Sequence, residues 1–204
     1  MRKATRSVAT WLGIAAALAG LEHGYFEILQ GNNPFAGLMF PSMGPPCVPE
    51  QIWNACEPAV SIVPSFLITG ILAATISLLI LVWSIFFVQR EHGGAILILL
   101  CVALLLFGGG VFPPLFGVIG GAAGMQINKP VSGKPAGGIL HLAASAWPWP
   151  LIIFMGWAIA QFPVGYFFNE FLKSNMVVSL SLIVAMLPLS VYAGYAHDLC
   201  EQVE

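Results

Sequence analysis

Glu22, His23 and Glu27, in the segment GLEHGYFEILQG at residues 20–31, close an otherwise apolar run. His23 and Glu27 are four residues apart, so on a helix they share a face and suit a His–carboxylate pair. Such a pair can pass a proton or hold a cationic headgroup. Glu22 points about 100° away from His23 and needs a partner of its own. Measured from Val8 at about 1.5 Å per residue, Glu22 lies about 21 Å and Glu27 about 28 Å along the helix. That depth puts Glu22 inside a hydrocarbon layer about 30 Å thick. A carboxylate there is costly and marks a site by default. His141 opens a later apolar stretch and is the fourth candidate. Glu22, His23, Glu27 and His141 are therefore expected to line one polar pocket in the outer half of a helical bundle. Separation of Glu22 from His141 would instead favour a non-catalytic role. Metal ligation has no diagnostic spacing, since H-E-x-x-H is absent, and no metal or other cofactor is assigned.

The His-x-x-x-Glu spacing of His23 and Glu27 on one membrane helix resembles that of the emopamil-binding (sterol isomerase-like) proteins, small bundles with an intramembrane His and acids. The resemblance covers these two residues. The second and third apolar stretches carry no mid-helix acid, and no activity is carried over from it.

The elements that must position these groups follow from composition. The 204 residues are 58% hydrophobic and 8% charged, whereas a soluble domain is about a quarter charged. The chain reads as a single all-α, polytopic membrane bundle spanning 1–204, with the lipid bilayer as its surroundings. Its net charge of −2 offers nothing to nucleic acid. Five apolar stretches predict helices over 7–30, 59–88, 95–127, 139–162 and 176–195. The first also resembles a secretory signal, but its apolar character runs past Gly20, so an uncleaved helix is expected.

Between the first two stretches, residues 31–58 form a Pro-rich loop expected to lie as an ordered external cap. Cys47 and Cys56 sit in it, and a disulfide between them would suit an oxidising side. Ser61, Ser65, Thr69, Ala73 and Ser77 form a stripe of small residues at four-residue spacing, a helix-packing face. The segment LLLFGGGVFPP cannot hold a helical ladder, so the third stretch should break near 108–114, at Gly108, Gly109, Gly110, Pro113 and Pro114. Beyond it, Gly117/Gly121 and Gly120/Gly124 are overlapping GxxxG pairs. Ser132 and Lys134 read as a solvated turn rather than a nucleophile pair.

With five crossings and a cytoplasmic N-terminus, Arg2, Lys3, Arg6, Arg90 and Lys173 lie inside and Lys129 and Lys134 outside, which predicts a cell-membrane protein with its C-terminus external. Three functions fit: a small transporter or channel-like protein, an intramembrane enzyme acting on a lipid or isoprenoid, or an accessory subunit of a larger complex. The small-residue faces suit a membrane-protein partner or a homo-oligomer.

Overall fold

The computed structural model describes residues 1–42, 57–130 and 137–201. Its helices are α1 (Lys3–Leu29), α2 (Phe66–Phe86), α3 (Gly93–Leu106), α4 (Phe112–Gly124), α5 (Gly138–Ala146), α6 (Trp149–Phe167), α7 (Asn169–Ser174) and α8 (Met176–Glu201). Strands β1 (Met39–Pro41) and β2 (Pro58–Val60) add a small antiparallel ladder. By length and composition α1, α2 and α8 can each cross a membrane. The pair α5 and α6, bent by 43°, makes a fourth span if taken as one. Among the described residues there are thus three or four candidate spans where five were expected.

The third apolar stretch accounts for the difference. It forms two arms of about 20 Å each, by rise per residue, joined across Gly108–Gly110. Gly108 and Gly110 have φ of +89° and +76°, a left-handed backbone that glycine adopts without penalty. Pro113 and Pro114 belong to the first turn of α4, where no intrahelical N–H is needed, so they start a helix rather than break one. The arms run antiparallel. Gly94, at the start of α3, abuts Gly121 and Gly124 at the end of α4 so closely that a β-carbon on it would strike the Gly121 carbonyl. Midway, Gly117 faces the Cys101 thiol. Glycine on both arms lets the backbones meet.

Because the hairpin turns back, everything after it changes side. The start of α1 meets the end of α4, with Arg2 N–H donating to the Ile127 carbonyl at 3.0 Å. The amide of Asn128 donates to the Gln89 carbonyl just beyond α2 at 2.8 Å. At the far end of the chain, Asp198 on α8 accepts from the backbone N–H of Ala4 at 2.9 Å and of Thr5 at 2.7 Å. Both chain ends therefore lie at one end of the bundle, not on opposite sides as expected. Lys129 moves to that end with Arg2, Lys3, Arg6 and Arg90, while Lys173 sits at the other beside Glu170 at 3.5 Å. The termini form a basic end.

α1 is the central element and is more deeply buried than α2 or α8. Gly24 of α1 and Gly70 of α2 touch backbone to backbone, and a β-carbon on Gly24 would stand 2.8 Å from the Gly70 carbonyl oxygen. Further along this contact Ser77 packs on Gly20 and Ser84 on Gly13, so the small-residue stripe is a packing face. Ser61 and Ser65 precede the helix rather than belong to it.

The ends of the 31–58 connection are regular, which amends the all-α expectation. Phe40 pairs with Ala59, and the ladder ends at Pro41 opposite Pro58, where neither residue has an N–H to give. Phe40 stacks on Phe35 at 3.9 Å and meets Phe66 edge-on at 5.3 Å. Cys47 and Cys56, like Ser132 and Lys134, lie outside the described residues. Among the described residues Cys101 and Cys200 are free thiols.

Candidate functional site

The ladder and the hairpin tip converge on the ionisable turn of α1. Ser42 follows β1 and Glu57 precedes β2, and Ser42 N–H donates to the Glu57 carbonyl at 3.1 Å. This pairing delivers both side chains to α1 together. Ser42 Oγ donates to Glu27 Oε1 at 2.6 Å and stands 3.0 Å from His23 Nδ1. With Glu27 ionised, the hydroxyl proton goes to Glu27 and Ser42 accepts from His23 Nδ1–H; with Glu27 protonated, both bonds run the other way. His23 Nε2 then faces Glu57 Oε1 at 3.6 Å, within ion-pair reach but beyond a hydrogen bond. Glu27, Ser42 and His23 form a hydrogen-bonded file, with Glu57 at its end within ion-pair reach.

Burial grades along the file. Glu27 and Ser42 are fully buried and His23 is 1% exposed, while the Glu57 side chain retains 18% exposure. The hairpin tip seals the inner end. A β-carbon on Gly108 would stand 2.6 Å from Glu27 Oε2, and one on Gly110 would run into the His23 ring. The glycines predicted to break the helix thus form a wall against the His–carboxylate pair, Gly108 at Glu27 Oε2 and Gly110 on the Nε2 side of the His23 ring. The tip is held by Gly108 N–H donating to the Val60 carbonyl at 2.9 Å and by Ile62 N–H donating to the Leu106 carbonyl at 3.1 Å. Neighbouring Thr69 bonds Ser61 Oγ at 2.7 Å and the Val63 carbonyl at 2.9 Å.

On its outer side the file opens onto a cavity of about 360 Å³ between α1, α4, α6 and α8. Glu22, His23 and Glu57 lie at its polar end, with Gln161 on the α6 wall. Ala15, Phe116, Met155 and Ile183 represent the remainder, which is apolar. Ligand pockets of small molecules typically occupy about 300–1,000 Å³. His23 Nε2 and Gln161 Nε2 are both buried with no hydrogen-bond partner among the described residues, and both residues line this cavity.

The predicted site residues therefore divide. Glu22 and His23 line the cavity, and Glu27 stands behind them, bonded through Ser42. His141 does not join them. It lies at the basic end, with Nδ1 3.8 Å from Cys200 Sγ. Its expected depth depended on five crossings, and the hairpin reverses it. His197 is also at that end, stacked on Trp147 at 6.3 Å. Among the described residues no three His, Cys, Asp or Glu side chains gather as a metal site.

Ser42, Glu57 and Gln161 were not singled out by type or spacing. Ser42 and Glu57 carry a faint signal, as polar residues bounding a Pro-rich apolar loop. Gln161 carries one as an amide in an apolar helix. No family model, curated protein or solved structure matches the chain.

Proposed function

We propose that this protein holds an intramembrane acid–base site for an amphiphile, a lipid or isoprenoid whose apolar part occupies the cavity and whose polar head meets His23. One observation carries this reading: two buried polar nitrogens, His23 Nε2 and Gln161 Nε2, have no hydrogen-bond partner among the described residues, and both residues line a cavity that is apolar beyond its Glu22–His23–Glu57 end. An unpaired buried polar group costs roughly 1–3 kcal/mol, so a ligand that pairs both gains that stabilisation. The apolar lining suits a hydrocarbon chain and does not suit a hydrated ion path.

In this reading His23 exchanges a proton with the ligand head through Nε2. Glu57 stabilises the imidazolium, and Ser42 with Glu27 fixes the ring from behind. The Gly-tipped hairpin beside the file favours a second reading, a transporter, because broken helices often build transporter sites. The separation of His141 from Glu22 counts toward the accessory-subunit reading, but that reading leaves the unpaired nitrogens without a role. With the basic end taken as cytoplasmic, the cavity lies in the outer half of the membrane.

The test is lipid extraction from protein purified in mild detergent, with mass analysis of what is retained by the wild type and by His23→Ala and Gln161→Leu. A specific amphiphile present in the wild type and lost from both variants is expected. Identical lipid profiles in all three would overturn the proposal.

A further inference from the structure

We infer that the first three turns of α1 carry a separate site for the phosphate headgroup of an anionic phospholipid. Lys3, Arg6, Ser7, Thr10 and Trp11 fall on one helix face and line a second cleft, of about 290 Å³, at the basic end. Among the described residues neither Lys3 nor Arg6 makes an ion pair, and Trp11 is 47% exposed. Among the described residues the acids at that end make no ion pair with this face. Asp198 is buried and holds the Ala4 and Thr5 amides and the Thr5 hydroxyl, Glu91 lies 3.7 Å from His92, and Glu201, the last residue of α8, pairs with neither Lys3 nor Arg6. Because Asp198 already caps α1, an anion here would be held by the side chains and not by the helix terminus.

The order along the helix points to a lipid rather than a soluble anion. Cations come first, the hydroxyls of Ser7 and Thr10 next, and then Trp11, about 12 Å deeper than Lys3 by helix rise. Trp favours the membrane interface, where its apolar ring and N–H meet both phases. The same face continues through Ile14, which is half-buried, to Leu18, which is 46% exposed. A phosphate at Lys3 and Arg6 would place ester groups beside the hydroxyls and an acyl chain along Trp11, Ile14 and Leu18. Inorganic phosphate could use only the first part of this series.

The experiment uses the full chain in neutral detergent, its intact mass checked for residue 1. Binding of short-chain phosphatidylglycerol is read by native mass spectrometry, with phosphatidylcholine and inorganic phosphate as the comparison probes. Phosphatidylglycerol should bind at least tenfold tighter than phosphatidylcholine. The double variant K3A/R6A should lose about tenfold or more of that affinity, since each cation near an anionic lipid surface contributes substantially. The charge-preserving K3R/R6K should keep it, which separates lost charge from a folding defect. Equal binding by K3A/R6A and wild type, or equal binding of the two lipids, would overturn the site. Displacement of phosphatidylglycerol by equimolar phosphate would also overturn it, in favour of a soluble anion.

Discussion

Replacing Ser42 by Ala tests the file most directly, because one hydroxyl serves both of its buried partners. Ser42 donates to Glu27 at 2.6 Å and accepts from His23 at 3.0 Å. Glu27 Oε2 and His23 Nε2 already lack hydrogen-bond partners among the described residues. The substitution would therefore strip Glu27 and His23 of their remaining side-chain hydrogen bonds. A hydrogen bond contributes roughly 0.5–1.5 kcal/mol, or roughly 1.5–3 kcal/mol where a partner is charged, and stranding a buried polar group costs roughly 1–3 kcal/mol. These terms overlap, so the expected loss is about 3 kcal/mol. Reversible unfolding in mixed micelles titrated with SDS would measure it. Repeating Ser42→Ala in a Glu27→Met background removes the carboxylate's share and should leave about 1 kcal/mol, for the neutral bond to His23. The coupling between the two sites would then be about 2 kcal/mol. A coupling below about 0.5 kcal/mol, the usual limit for independent sites, would show that Ser42 does not join Glu27 to His23 and would refute the file.

The remaining predictions concern the hairpin, the sidedness and the cap. Gly110→Ala should destabilise the protein more than Gly137→Ala, measured by the same titration. Both positions have positive φ, but only at Gly110 does the new methyl meet His23, so equal losses would place the ring elsewhere. In a cysteine-free background, H92C, K129C and E201C should react with an impermeant thiol reagent from one side of the membrane and K173C from the other. Labelling of H92C and E201C from opposite sides would mean that α3 and α4 do not turn back. Cys47 and Cys56 are proposed to be bonded, and a non-reducing peptide map of protein never exposed to reductant should show the crosslink. Two free thiols there would remove it.

What sequence reasoning could and could not reach divides along one physical line. Hydropathy measures how long a run stays apolar and is blind to the direction in which it travels. The predicted stretches 7–30 and 176–195 coincide closely with α1 and α8. The first residues of 59–88 form β2 and a turn instead, because Pro58 and Pro64 bound a segment that pairs with residues 38–40 and with the hairpin tip. For 95–127 the break was legible in three consecutive glycines, yet one bent crossing and a returning hairpin have the same hydropathy. The distinguishing signal was glycine on both arms: Gly94 before the break, Gly121 and Gly124 after it, spaced to meet when the chain folds back. Small residues facing each other across a break carry directional information that apolar length lacks.

That single ambiguity explains both errors in the site and in the topology. The depth of each later residue was inferred by counting crossings, so one miscounted turn moved His141, His197 and Lys129 together to the opposite end. Glu22, His23 and Glu27 were not affected, because they lie on the first helix and their depth depends on no count. Charge does not decide between the two topologies: over the described lysines and arginines Lys129 and Lys173 exchange ends, and the asymmetry stays five to one. The same turn brings Gly108 and Gly110 against Glu27 and His23. A through-going helix would carry those glycines past the pair, whereas the hairpin ends on it. The chemistry of the site and the reversal of the chain are therefore one structural fact: the tip that closes the His–carboxylate pair is also the point at which α3 turns back as α4.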